Sequence, residues 1–125
     1  MKLLLDTHCL VWVLLDHERL TAPARRYIQE AEQVWFSEAS ILEIGLKWRK
    51  GKINLSPRLV FEQAVRDRIK PLHLSITSMM ASCELRDIHA DPFDRLLLAQ
   101  SQENQLRLLT TDTVLASYDS SVLRF

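Results

Sequence analysis

Lys2-Leu3-Leu4-Leu5-Asp6 sets three consecutive apolar residues directly before a carboxylate. A half-exposed strand alternates apolar and polar side chains, whereas an unbroken apolar run belongs to a strand covered on both faces, as in the parallel sheets of α/β proteins. A second run, Leu106-Arg107-Leu108-Leu109-Thr110-Thr111, ends at Asp112. The carboxyl ends of parallel strands form the edge where such folds keep their chemistry, so Asp6 and Asp112 are expected just past that edge.

Working outward, helices and strands alternate. Cys9 to Leu15 is apolar on all sides, which predicts a buried or interface-facing helix. Thr21-Ala22-Pro23 opens a second helix to about Ala31, and Gln33 to Phe36 reads as a short strand. A helix follows from Glu38 to Lys50, stopped by Gly51. Ser56-Pro57 starts another, with Leu59, Val60, Ala64, Val65 and Ile69 at helical spacing, ended by Pro71. Leu72-His73-Leu74 is a strand candidate. Ser75 to Arg86 is expected to be helical, with Met79, Met80, Cys83 and Leu85 inward. Asp91-Pro92-Phe93-Asp94 is a strong helix start: Asp91 can cap and Pro92 suits the first helical position. Leu106 to Leu109 is a strand, Thr113 to Ser117 one helical turn, and Val122 to Phe125 an edge strand. The alternation implies a three-layer α/β/α sandwich with a central parallel sheet.

At 125 residues and 47% apolar, the chain is expected to form one domain, residues 1–125, with a core large enough to need no disulfides. Cys9 and Cys83 lack C-x-x-C spacing, which argues against a structural zinc site, and both read as buried free thiols. A charge interrupts the first apolar run too early for a signal peptide, and no stretch reaches membrane-spanning length, so a cytoplasmic location is expected. Only Gly45 and Gly51 are glycines, which removes phosphate-loop and dinucleotide-binding readings. No serine stands in a nucleophile-elbow context.

Two further acids join Asp6 and Asp112. Glu43 and Asp94 lie on helices expected to begin near the same edge. Each acid also has an ordinary role open to it: Asp6 and Asp112 can cap or turn, Glu43 can pair with Lys47 or close a capping box with Ser40, and Asp94 can complement a helix dipole. Asp94 is preferred over Asp91, whose oxygens are better placed to cap. Converging carboxylates raise the cost of ionising one another unless a cation joins them, so together they predict a divalent metal. Hard oxygen ligands without paired His or Cys favour Mg²⁺ or Mn²⁺. Phosphodiester hydrolysis fits such a site.

Lys plus Arg balance Asp plus Glu at 16 each, so net charge favours no nucleic-acid partner. Distribution does. Between Gly45 and Lys70 there are eight basic residues (Lys47, Arg49, Lys50, Lys52, Arg58, Arg66, Arg68, Lys70) against Glu62 and Asp67. A basic segment beside an acidic pocket can hold a polyanion next to bound metal. Lys47, Arg49, Lys50, Lys52 and Arg95 are the candidates to grip it. Trp48 could stack a base or pack half-buried. Of the histidines, only His8 is expected near the acids.

These residues, taken in order, resemble a known family. Leu5-Asp6-Thr7-His8 with Leu10 and Trp12, Glu43-Ile44 with Lys47 and Gly51-Lys52, His89, Asp91-Pro92-Phe93-Asp94-Arg95-Leu96-Leu97 with Ala99-Gln100, then Thr110 and Asp112 with Tyr118, are similar to the PIN-domain ribonucleases, above all the VapC-type toxins of toxin-antitoxin pairs. The resemblance runs from Lys2 to about Leu123. It implies an endoribonuclease with Asp6, Glu43 and Asp94 as the acidic core, Asp112 as a fourth member, and an Mg²⁺ or Mn²⁺ cofactor. Thr7 and Thr110 would be supporting groups that orient carboxylates or water. Glu38 is an alternative to Glu43, but the Glu-Ile-x-x-Lys context favours Glu43. The implied partners are RNA, a small antitoxin protein and a second copy of the chain.

Two rivals differ in class. A phosphoacceptor signalling domain needs a second acid beside the first strand's end, where His8 stands, and a late lysine, which the segment after Leu106 lacks. A non-catalytic RNA- or protein-binding domain with a vestigial acidic pocket remains open.

Overall fold

The computed structural model describes residues 1–87 and 91–125, and His89 lies outside them. Its strands are β1 (Lys2–Leu5), β2 (Gln33–Ser37), β3 (Lys70–Leu72), β4 (Arg107–Thr110) and β5 (Leu123–Arg124). They form one sheet in the order β3-β2-β1-β4-β5, with every neighbouring pair parallel. The helices are α1 (Thr7–Leu15), α2 (Ala22–Glu30), α3 (Glu38–Arg49), α4 (Pro57–Arg66), α5 (Ile76–Glu84), α6 (Pro92–Glu103) and α7 (Thr113–Tyr118).

The apolar run at the start of the chain explains the layers. Side chains alternate across a strand, so Leu3 and Leu5 face one way and Leu4 the other. Leu3 and Leu5 join a core with Cys9, Leu10, Ala24, Ile44, Val60 and Ala64, drawn from α1 to α4. Leu4 joins Leu97, Leu98, Leu108 and Leu115, the helical ones from α6 and α7. All three leucines of β1 are fully buried. Each such burial stabilises by about 1.5–3 kcal/mol as an upper figure, and a polar residue at any of them would face a helix layer rather than water. This is the expected α/β/α sandwich.

The chain runs outward from β1 to β2 and β3 on one side and to β4 and β5 on the other. The strand order therefore reverses between β1 and β4, the topological switch point at which open α/β sheets bind ligands. Asp6 follows β1, and Asp112 lies two residues past β4. The Asp6 amide donates to the Leu109 carbonyl at 3.1 Å, extending the β1–β4 ladder to the carboxylate itself.

Asp, Ser or Thr caps every helix described: Asp6, Thr21, Ser37, Ser56, Ser75, Asp91 and Asp112. The helix ends show how few glycines the chain has. Gly51 ends α3 at φ +70°, its amide donating to Trp48 O at 3.0 Å while that of Lys52 donates to Lys47 O at 2.9 Å. That pair of bonds is a Schellman motif, whose left-handed position suits glycine. Asp16, Arg68 and Gln105 occupy the same left-handed region after α1, α4 and α6 without being glycine.

Three expectations are corrected. The third strand is Lys70–Leu72, two residues earlier than expected, and Pro71 sits inside it opposite Phe36. An edge strand bonds on one side only, so a proline is tolerated there, and α4 ends earlier through the left-handed Arg68 instead. On α5 the buried residues are Ser78 and Ser82, whereas Met79 and Met80 are exposed. Serines let α5 approach α6 closely, and Ser78 Oγ donates to Glu103 Oε2 at 2.6 Å. Cys83 is exposed, not buried, while Cys9 is buried as expected.

Replacing the exposed, left-handed Gln105 by glycine is expected to stabilise the chain by about 1 kcal/mol, because the Cβ penalty of that region disappears. Gly51→Ala should cost a similar amount. Urea unfolding of both variants checks the pair, and equal midpoints would refute the assignment of strain.

Candidate active site

Asp6 is the buried centre of the edge. Its Oδ1 accepts from the Cys9 amide at 2.7 Å, capping α1, and its Oδ2 accepts from Thr110 Oγ1 at 2.5 Å. The Asp112 amide in turn donates to Thr110 Oγ1 at 3.0 Å, so one hydroxyl links the acids of the two central strands. Burial pushes the Asp6 carboxyl above its ordinary value, against the pull of Thr110, Cys9 and His8, and the charge of Glu43 pushes the same way as burial. Asp6 and Glu43 therefore act on each other across a sequence separation that only the fold closes.

Glu43 reaches this position because α3 leaves the end of β2 with its Ile44 side in the core. One oxygen, Oε2, takes the Lys47 ammonium at 3.0 Å, the i,i+4 pair expected from spacing. The other, Oε1, is buried and has no hydrogen-bond partner, the single such side-chain atom among the described residues. The alternative role, a capping box with Ser40, is not used, since Ser37 caps α3 and Ser40 Oγ shares a hydrogen bond with Thr7 Oγ1 at 2.9 Å. Thr7 thus ties α1 to α3 rather than touching a carboxylate. Glu38 is committed elsewhere: its Oε1 meets His73 Nδ1 and the Leu74 amide, both at 2.9 Å.

Asp94 lies in the first turn of α6, and Asp91 caps that helix through the Phe93 amide at 2.9 Å. Asp91, Pro92 and Phe93 line a cavity of about 480 Å³ together with Glu43, Leu46, Lys47, Lys50 and Lys52. Three of the basic candidates are therefore in one concavity with the start of α6. Arg49 is exposed and outside that lining. Arg95 is engaged in packing the helices: its guanidinium donates to the carbonyls of Ser82 (3.0 Å), Arg86 (3.2 Å) and Leu85 (2.6 Å), holding the carboxyl end of α5 against α6. Asp112 caps α7, its Oδ1 accepting from the amides of Val114 and Leu115 at 2.8 and 3.2 Å.

The arrangement fits a hard divalent cation in its donor chemistry. Among the described residues no group of three or more His, Cys, Asp or Glu is arranged to hold a metal ion. Mg²⁺, however, is bound through one or two carboxylates and keeps several waters. Buried Asp6 and Glu43, the latter with a buried oxygen unsatisfied, supply that minimum. Sequence spacing did not reveal the polar side chains beneath the acids: Ser37, Ser40 and Gln100, all buried. The signal available was a polar residue on an inward helix face, as Gln100 is beside Leu97, Leu98 and Ser101.

The model of the PIN domain family matches residues 3–120, a span that includes all four acids. The chain belongs to the PIN domain family. A curated relative, Ribonuclease VapC22 of Mycobacterium tuberculosis, is 26% identical over 117 residues, covering 92% of this chain and 90% of its own. Two solved structures share the fold at low identity. VapBC2 from Rickettsia felis, bound to a DNA fragment from its promoter, superposes with a TM-score of 0.68 at 13% identity, covering 100% of this chain and 98% of that one. VapC20 of Mycobacterium tuberculosis, described as a sarcin-ricin loop cleaving toxin, gives 0.59 at 14%, covering 84% and 85%. The PIN-like sandwich is thus shared with both.

A raised folded-state pKa on Asp6 means that its contribution to stability is full below the ordinary 3.8 and is lost as pH rises through the folded value. Asp6→Asn does not titrate, and asparagine can still cap α1. In metal-free buffer, the melting temperature of the variant minus that of the unsubstituted chain should therefore increase as pH rises from below 3.8 to neutrality. A difference independent of pH would show that Asp6 carries no such strain.

Proposed function

We propose that this chain is a metal-dependent endoribonuclease, the toxin of a toxin-antitoxin pair, with Asp6, Glu43, Asp94 and Asp112 as the acidic site. The observation that carries the reading is the buried, partnerless Oε1 of Glu43 beside buried Asp6 at the switch point of the sheet. Family membership and the ribonuclease name of the 26% identical relative support it.

When bound, Mg²⁺ or Mn²⁺ supplies Lewis-acid chemistry that activates water and stabilises the departing oxygen. The chain's own groups do the rest. Asp6 and Glu43 would hold the cation, joined by Asp94 in the first turn of α6 and Asp112 just past β4. Thr110 keeps the Asp6 carboxylate oriented through its 2.5 Å hydrogen bond. Lys47, Lys50 and Lys52, lining the cavity beside Glu43, hold the phosphates of a single-stranded or looped RNA. Arg95 is assigned to the α5–α6 contact instead. Water attacks phosphorus and the bond to the 3′ oxygen breaks, so the products carry 5′-phosphate and 3′-hydroxyl ends. A small antitoxin and a second copy of the chain are the proposed partners, in a single-domain cytoplasmic protein. None of the described helices is long and apolar enough to cross a membrane.

Incubation of the partner-free chain with a mixed RNA pool and Mg²⁺, Mn²⁺ or EDTA, followed by mapping of product ends, tests the reading. Metal-dependent cuts with 5′-phosphates, lost in Asp94→Asn, are expected. Mn²⁺ at about a hundredfold excess over its Kd should stabilise by about 2.7 kcal/mol, a rise in melting temperature on the order of 10 °C for a chain of this size. Asp94→Asn should remove much of that rise. Metal binding without cleavage would favour the non-catalytic RNA-binding alternative, and a metal response untouched by Asp94→Asn would exclude this pocket.

A further inference from the structure

Gln100 has no solvent exposure, and both ends of its amide are hydrogen-bonded. Oε1 accepts from Ser37 Oγ at 2.5 Å, and Nε2 donates to the His73 carbonyl at 3.3 Å. Ser37 Oγ also accepts from the Ala39 amide at 2.9 Å, so the hydroxyl that Gln100 holds is the cap of α3. Glu38, the next residue, takes the His73 ring and the Leu74 amide. Gln100, Ser37, Glu38 and the His73-Leu74 segment thus close a ring of interactions around the start of α3.

The ring has a defined relation to the acids. Glu43 lies six residues after Ser37 on α3, and Asp94 lies six residues before Gln100 on α6. Six helical residues rise about 9 Å. At one end of the contact between the two helices stands the Ser37–Gln100 bond, and at the other Glu43 and Lys47 line one cavity with Asp91, Pro92 and Phe93. The helices therefore run antiparallel there, and equal steps from the bond lead along α3 to Glu43 and along α6 to Asp94.

We infer that Gln100 is a positioning residue, whose bond to Ser37 sets the register of α3 against α6 and so the spacing of Glu43 and Asp94 in the metal site. A hydrocarbon of equal size at position 100 would satisfy the core, but it would let α3 slide relative to α6, because apolar contacts lack the direction of a hydrogen bond. The inference rests on the proposal that Glu43 and Asp94 serve one cation.

Mn²⁺ affinity of the full chain, measured by calorimetry and by the spin-resonance signal of free Mn²⁺, tests it without reference to cleavage. Gln100→Met and Ser37→Ala should each weaken binding by about 10–100-fold, the usual effect of removing a group that orients metal ligands. The double variant should be no weaker than the worse single one. Ser101→Ala, which removes a buried hydroxyl bonded within its own helix to Leu98 O, should leave the affinity alone. Lower melting temperature with unaltered Mn²⁺ affinity in Gln100→Met would reduce Gln100 to a core residue and overturn the inference. Should Gln100→Met not fold, Ser37→Ala decides in the same way. An unsubstituted chain that binds no Mn²⁺ would overturn the metal reading itself, and this inference with it, whereas binding that Gln100→Met leaves intact would sink the inference alone.

Discussion

The Asp6 carboxylate is the constraint around which the rest is arranged. A charge at the end of a strand buried on both faces is unfavourable unless hydrogen bonds and opposite charge surround it. Thr110 from β4 and the Cys9 amide from α1 supply the bonds. Both depend on β1 lying between β2 and β4 with helices above and below. The leucines that bury β1 are thus what make Asp6 costly, and the proposed cation would relieve that cost. Stability and chemistry are opposed at one residue, and the fold heightens the conflict by placing the charge of Glu43 nearby rather than a base.

That choice separates this edge from a structural ion pair. Had both oxygens of Glu43 been satisfied, by Lys47 or by another donor, its carboxylate could be read as an ordinary structural ion pair. Instead the ammonium meets Oε2 alone, at a half-exposed position, and Oε1 stays buried without a partner. An unsatisfied buried oxygen costs about 1–3 kcal/mol, more for a charged group, so a fold that keeps one retains it against its own stability. The same concavity continues outward over Lys47, Lys50 and Lys52, so the negative centre is bordered by positive charge on the side open to solvent. A polyanion approaching that side meets lysine first and carboxylate last, the order needed if phosphate is to be held beside a cation.

The sequence made part of this legible. Asp6 and Asp112 could be placed because strand ends follow directly from unbroken apolar runs, and the switch point follows from the alternation of elements. Glu43 was legible as a residue but not as an orphan, since the burial of Oε1 comes from elements packed together in three dimensions, which spacing along α3 does not show. Arg95 misleads in sequence because an arginine beside an acid in a helix start looks available for phosphate. Its carbonyl partners at Ser82, Leu85 and Arg86 lie on a different helix end, which no local pattern reveals. The methionines of α5 mislead for a related reason: hydrophobicity names what can be buried, while close packing against α6 selected the small serines.

Beneath the acids, the polar residues follow a common rule. Thr110 bonds Asp6, Thr7 bonds Ser40, and Ser37 bonds Gln100, each pair joining two different elements. Apolar contacts hold these elements together but permit small slides, because one leucine contact is nearly as good as the next. Hydrogen bonds between buried hydroxyls and amides do not permit it, since a shift of an ångström leaves a polar group unpaired. The core therefore fixes which layers meet, and the buried polar pairs fix where along each other they meet. For the proposed site, whose acids come from four separate elements, the second kind of precision matters more. The buried polar pairs thus hold the layers in register as well as together.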